Sequence, residues 1–128
     1  MTPLQRQLVD RSAEAVEAGR RAVAHGDAST GANRAYYAMF YAAWALLGDE
    51  PEIGLRHRSV HVAFGERFVK TQRLDAQLHR WLLDAFDLRL LADCDPMTEL
   101  EIDIVVETVE QATDFLASAS ALLVGGSP

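Results

Sequence analysis

The run ANRAYYAMFYAAWALL, residues 32–47, decides the fold. It places Tyr36, Tyr37, Phe40, Tyr41 and Trp44 close together, half the aromatic residues of a chain with Trp 2, Tyr 3 and Phe 5. Within it Ala35, Ala38, Ala42 and Ala45 recur at alternating spacings of three and four, the period of one helix face. A stripe of small residues lets another helix approach closely, and the flanking aromatic rings supply contact area. The run therefore reads as a helix buried round most of its circumference, either in the middle of a bundle or at a subunit interface. Most of its aromatic side chains are expected in the core.

On either side the chain is punctuated as further helices. A first helix fits residues 1–26, with Pro3 in its first turn and Gly26 as its stop after His25. Asp27 offers an N-cap for the second, residues 27–47, which Gly48 ends. The stretch GDEPEIGL, residues 48–55, reads as a loop. A third helix fits 57–70, with Thr71-Gln72-Arg73 turning the chain, and a fourth fits 75–93 with Asp75 as its cap. Asp95 and Pro96 open a fifth over 96–124, whose Ile102, Val105, Val106, Val109, Ala112, Leu116 and Leu123 share a stripe. On the fourth, Leu74, Leu78, Leu82, Ala85, Leu88 and Ala92 do the same. Nothing alternates with period two long enough for a strand. The expected fold class is all-α, an antiparallel bundle of about five helices that dimerises, with residues 1–128 as one domain.

Composition agrees with a globular chain: 49% hydrophobic and 24% charged residues leave no signature of disorder. No apolar run is long enough for a membrane span, and the first residues lack a basic segment followed by an apolar one. No membrane association is expected, and a cytoplasmic location follows by default. The single cysteine, Cys94, has no partner for an internal disulfide. The net charge of −7 hides an asymmetry. Residues 56–80 carry Arg56, Arg58, Arg67, Lys70, Arg73 and Arg80 against Glu66 and Asp75, whereas residues 81–128 carry Arg89 against ten acids. A locally basic segment can hold phosphates even in an acidic protein. The plainer reading is that the two segments attract each other or form separate solvated faces.

Arg34 stands out because it is charged and lies in the first turns of the buried helix. Seven residues return to within about 20° on a helix, so Arg34, Tyr37, Ala38 and Tyr41 share a stripe. A guanidinium beside phenol hydroxyls is a candidate phosphate or nucleotide site, since Arg presents a planar fork of donors. The structural alternative is an ion pair from Arg34 to Asp84, Asp87 or Asp93 that locks the bundle.

The segment Asn33-Arg34-Ala-Tyr-Tyr-Ala-Met-Phe-Tyr-Ala-Ala resembles the signature helix of a prokaryotic HEPN subgroup, the one paired with minimal nucleotidyltransferases. His57-Arg-Ser-Val-His-Val-Ala-Phe-Gly-Glu-Arg-Phe-Val-Lys-Thr71 is similar to the next segment of that subgroup, and Asp84-Ala-Phe-Asp-Leu-Arg-Leu-Leu-Ala-Asp-Cys-Asp95 to its fourth-helix ending. The match covers residues 30–96 in order. The resemblance implies a helical bundle that forms a homodimer, with a small nucleotidyltransferase protein as partner in a toxin–antitoxin module. Many members are metal-independent endoribonucleases and others are non-catalytic. The family's ribonuclease motif is an Arg followed four to six residues later by a His. In that motif His moves a proton and Arg stabilises charge on the phosphorane.

The subgroup's His would fall at position 41, where this chain has Tyr41. A phenol with a pKa of about 10 is a poor base at neutral pH. Arg20–His25, Arg56–His61 and Arg73–His79 also fit the spacing, but with 4 His and many Arg such matches arise by chance. Arg34, Tyr41 and His57 are thus the candidate catalytic residues. Asn33, Arg34, Tyr37, Arg56, Arg58 and His61 are the candidates for holding RNA or nucleotide. His57 and His61 at i and i+4 lack a third ligand for zinc, so neither metal nor cofactor is expected. Two functions follow: an RNA-cleaving toxin with a shared Arg34 cleft, or a silent module that docks a nucleotidyltransferase and binds nucleotide.

Overall fold

The computed structural model describes residues 1–48, 56–95 and 97–125. Among them it has five α-helices and no strand: α1 (Pro3–Ala24), α2 (Ala28–Leu47), α3 (His57–Phe64), α4 (Ala76–Cys94) and α5 (Ile102–Val124). A single π-turn, Gly65–Val69, continues α3. The Gly48–Leu55 loop lies outside the described residues apart from Gly48, as does Pro96.

Local chemistry explains most helix ends. Thr2 and Gln5 form a capping box at the start of α1, with Pro3 in the first turn. Asp27 caps α2 by accepting from the Thr30 N–H at 3.1 Å. Gly26 and Gly48 bound that helix with φ of +75° and +68°, which glycine adopts without steric cost. Two ends differ from the expectation. The third helix does not run as one α-helix to residue 70, because after Phe64 its bonding switches to the wider π pattern, with the Lys70 N–H donating to the Gly65 carbonyl at 2.8 Å. Gly65 permits this crossing, since a Cβ there would lie 2.9 Å from the His79 ring of α4. The fifth helix begins at Ile102 rather than 96. The Asp95 carboxylate, expected as its cap, instead accepts from Met97 N–H and the Thr98 hydroxyl and closes a turn after α4.

The α2 helix is the centre of the bundle, packed against α1, α3, α4 and α5. Its alanine stripe (Ala35, Ala38, Ala42, Ala45) is 0% exposed. The stripe is therefore filled from within the chain. It is not a free seam between subunits. Ser12 on α1 donates to the Ala38 carbonyl at 2.6 Å and Gln5 donates to the Ala45 carbonyl at 3.0 Å, which fixes α1 antiparallel to α2. Gly31 is needed for the same close approach: its Cβ would sit 2.8 Å from both Val23 and Val105. On α5 the buried face is Val105, Thr108, Val109, Ala112, Phe115 and Ala119. Ile102 is exposed and Leu116 and Leu123 lie at the margin. Phe115 rather than Leu116 reaches the core because its ring meets Phe64 at 5.3 Å. No helix among the described residues is long and apolar enough to cross a membrane.

Candidate functional site

One edge of α2 escapes burial. From Gly31 to Leu47 its half-exposed residues are Asn33, Arg34, Tyr37, Tyr41 and Trp44, while every other residue in that stretch is buried. The edge follows the helical period, so the side chains that do not pack form one line. Arg34 is held in a fixed pose: its Nε and Nη2 both donate to Asn33 Oδ1, at 3.0 and 2.9 Å. Its guanidinium lies 5.3 Å from the Tyr37 ring centre. Among the described residues no carboxylate pairs with it; Asp93 pairs with Arg89 instead, at 3.3 Å. Arg34 and Tyr41 line a groove of about 370 Å³ together with Arg11, Glu14 and Arg21 of α1. Three guanidinium groups there face one carboxylate.

Arg89 reaches the same edge from α4. Its guanidinium stands 5.2 Å from the Tyr37 ring and 5.6 Å from the Tyr36 ring. The Tyr37 ring thus touches two guanidinium groups, and each cation is attracted by the negative face of the ring. Arg89 Nε is buried and makes no hydrogen bond among the described residues. Asp93 is near enough for ion pairing but lies off the hydrogen-bond direction. A buried donor without a hydrogen-bond acceptor costs free energy, and the Asp93 carboxylate beside it offsets part of that cost.

Behind this edge is a polar cluster inside the aromatic core. The Tyr36 hydroxyl lies 2.9 Å from His57 Nδ1 and 2.8 Å from His61 Nε2. Its single proton can go to one ring nitrogen only, so it donates to one imidazole and accepts N–H from the other. His57 stacks on Phe40 at 4.5 Å and meets Tyr37 edge-on at 5.7 Å. Burial lowers the His57 pKa, and Arg89 lowers it further. Burial, then His57, His79 and Arg58, bring His61 down to about 4. Burial raises the Tyr36 phenol well above its ordinary range, with Arg89 opposing. At neutral pH all three groups are uncharged. His61, with its pKa at about 4 and its Nε2 held by Tyr36, refuses a proton. That leaves His57 as the imidazole to accept one, and the permanent cations are the arginines. That combination can hold a phosphate and receive a proton beside it.

Asn33, Arg34, Tyr37, Tyr41 and His57 are therefore brought to one edge, with Tyr37 touching both Arg34 and His57. His61 is 4% exposed and stands behind it. Arg56 and Arg58 line a different groove on α3, of about 650 Å³. Of the other Arg–His pairs, Arg20 bonds Glu17 and Thr113, His25 caps α1 through the Arg21 carbonyl, and Arg73 covers Phe68. His79 donates to the His61 carbonyl at 3.1 Å. No cluster of three metal-ligating side chains occurs among the described residues. Sequence reasoning missed Arg11, Arg21 and Arg89 as members of the site and Tyr36 as the hub of the histidine pair. Only Arg89 carried a signal, because it is the sole cation after residue 80.

No family model matches the chain. A UPF0332 protein of Gloeobacter violaceus is 36% identical over 93 residues, which is 73% of this chain and 74% of that one. A UPF0332 protein of Thermotoga maritima is 32% identical over 91 residues, 71% of this chain and 69% of its own length. A Methanocaldococcus jannaschii protein named "Putative toxin" is 28% identical over 95 residues, 74% of this chain and 65% of that protein.

Proposed function

The chain belongs to the UPF0332 family, and from that premise we propose that it is the HEPN-type component of a two-gene toxin–antitoxin module, one HEPN-like domain that acts on RNA through the Arg34 edge of α2. The toxin name borne by one relative supports the setting. The observation that carries the chemistry is the convergence of Arg34 and Arg89 on Tyr37 beside neutral His57. In this reading the two guanidinium groups hold a backbone phosphate and stabilise the charge that builds on it. His57 takes the proton of the attacking 2′-hydroxyl as that oxygen bonds to phosphorus and the bond to the 5′-oxygen breaks. It returns that proton to the departing 5′-oxygen, with Tyr36 orienting its ring through Nδ1. Two copies would pair across Tyr37, Tyr41 and Trp44, an edge that leaves large rings half-exposed, and a small nucleotidyltransferase would be the neutralising partner.

Tyr41 favours a second reading, in which the chain binds RNA or nucleotide and docks the nucleotidyltransferase without cutting. One assay separates the two. Purified protein is incubated with labelled single-stranded RNA in the presence of chelator, and both binding and cleavage are followed. Cleavage that is lost in Arg34→Ala, Arg89→Ala and His57→Ala supports the ribonuclease reading. Binding without cleavage, weakened in Arg34→Ala and Arg89→Ala, supports the silent module. Absence of any RNA or nucleotide binding overturns both.

A further inference from the structure

A second groove lies between α3, the π-turn and α4, with a volume of about 570 Å³. The rings of Phe86, His61 and His79 line it, and Val62 and Leu83 flank it at 52% and 39% exposure. These two side chains leave apolar surface open on the walls of the groove. The ring nitrogens named above are already engaged, His61 Nε2 with Tyr36 and His79 Nε2 with the His61 carbonyl. The polar groups left for a ligand are the carboxylates of Glu66 and Asp87 and the cations of Arg58 and Lys70. Arg58, Val62 and Glu66 also line the neighbouring groove of about 650 Å³, which adds Arg56.

We propose that this groove receives one unstacked guanine base of an RNA strand, at a site separate from the Arg34 edge. The proposal rests on the RNA reading above and specifies its substrate class. A flat base fits between rings and aliphatic walls, which is how single-stranded RNA is generally read. The carboxylates choose the base. Guanine presents two N–H donors side by side on its Watson–Crick edge and so can satisfy one carboxylate at both oxygens. Adenine puts a ring acceptor beside its single amine, and uracil flanks its donor with carbonyls, so both meet repulsion. Arg56 and Arg58 then take the phosphates on either side of the base. An apolar helix of a partner protein would fill the Val62–Leu83 face but gives no reason for two carboxylates at its edge.

The test uses the full chain and three labelled RNA heptamers, UUUGUUU, UUUAUUU and UUUUUUU, with affinity read by fluorescence anisotropy. The guanine heptamer is expected to bind about tenfold more tightly than the other two, the range of one bidentate base contact. Asp87→Asn and Leu83→Glu should each bring the three affinities together, and Arg34→Ala should weaken all three alike. Both altered side chains are exposed, and a melting curve of each variant verifies its fold. Equal affinity of the wild type for all three heptamers overturns the guanine pocket alone and leaves the face to a protein partner. A guanine preference that survives both substitutions overturns it as well. Failure to bind any heptamer overturns the RNA reading and the pocket with it.

Discussion

Lowering the pH tests the buried Tyr36–His57–His61 cluster directly. His61 is 4% exposed, and burial together with His57, His79 and Arg58 holds its pKa at about 4 in the folded chain, against 6.5 when unfolded. Between those values the unfolded chain takes up a proton that the folded chain refuses. The stabilisation is therefore fully present above about pH 6.5 and is lost as the pH falls toward 4. The difference corresponds to about 3 kcal/mol, or about 10 °C in Tm for a chain of this size. His57, lowered by burial and by Arg89, adds to the loss over the same window. Asp27 and Asp95 are held below the usual carboxylate range by hydrogen bonds to Thr30 and to Thr98 and Met97, so their contribution falls away only at still lower pH. Melting curves at pH 7.5, 6.5, 5.5 and 4.5 should be flat across the first pair and then decline. His61→Leu should flatten that decline while lowering Tm throughout, because it removes a partner of the Tyr36 hydroxyl. A wild-type Tm unchanged down to pH 4.5, or His61 ring resonances that titrate near 6.5, would refute the reasoning.

The other expectations are simpler to state. Arg34→Ala should cost under about 1 kcal/mol in urea denaturation, since its contacts are Asn33 and a ring face rather than a buried carboxylate, yet it should weaken RNA binding. Gly31→Ala should lower the stability measured by urea denaturation by about 1–3 kcal/mol, because its Cβ would crowd Val23 and Val105 and outweigh the gain in helix propensity. Wild-type protein should scatter light as two chains, and folded Trp44→Glu as one; a monomeric wild type removes the shared cleft. Where the wild type binds RNA without cutting it, Tyr41→His should raise cleavage by about 10²–10⁴-fold, read on a gel.

The fold was legible in the sequence because its periodic signals are strong. The alanine stripe and aromatic load of α2 announce a helix buried on most sides, and Asp27, Gly26 and Gly48 mark its ends with residues whose local bonding differs from the helix interior. The start of α5 was misplaced because Asp95 can cap a helix or close a turn with equal facility, and the tertiary path after α4 decides between them. The π-turn left no pattern of its own: it depends on Gly65 meeting the His79 ring, a contact between segments distant in sequence. The site was half legible for the same reason. Asn33, Arg34, Tyr37 and Tyr41 follow from one helix, whereas Arg11, Arg21 and Arg89 arrive from α1 and α4.

Stability and the proposed chemistry are carried by neighbouring faces of α2. Its alanine face is locked under α1 by the Ser12 and Gln5 hydrogen bonds, so the helix cannot roll without breaking buried contacts. The adjoining edge is therefore fixed in orientation before any ligand arrives. Asn33 extends that order to the Arg34 fork through two hydrogen bonds, and the Tyr37 ring braces both guanidinium groups. A site ordered in advance loses little conformational entropy on binding. Substitutions on the alanine face should therefore weaken RNA binding as well as folding, even though those residues touch no ligand. Ser12→Ala is the sharpest case: it removes the buried hydroxyl that ties α1 to the Ala38 carbonyl and should lower both Tm and RNA affinity, whereas Arg34→Ala should lower affinity alone.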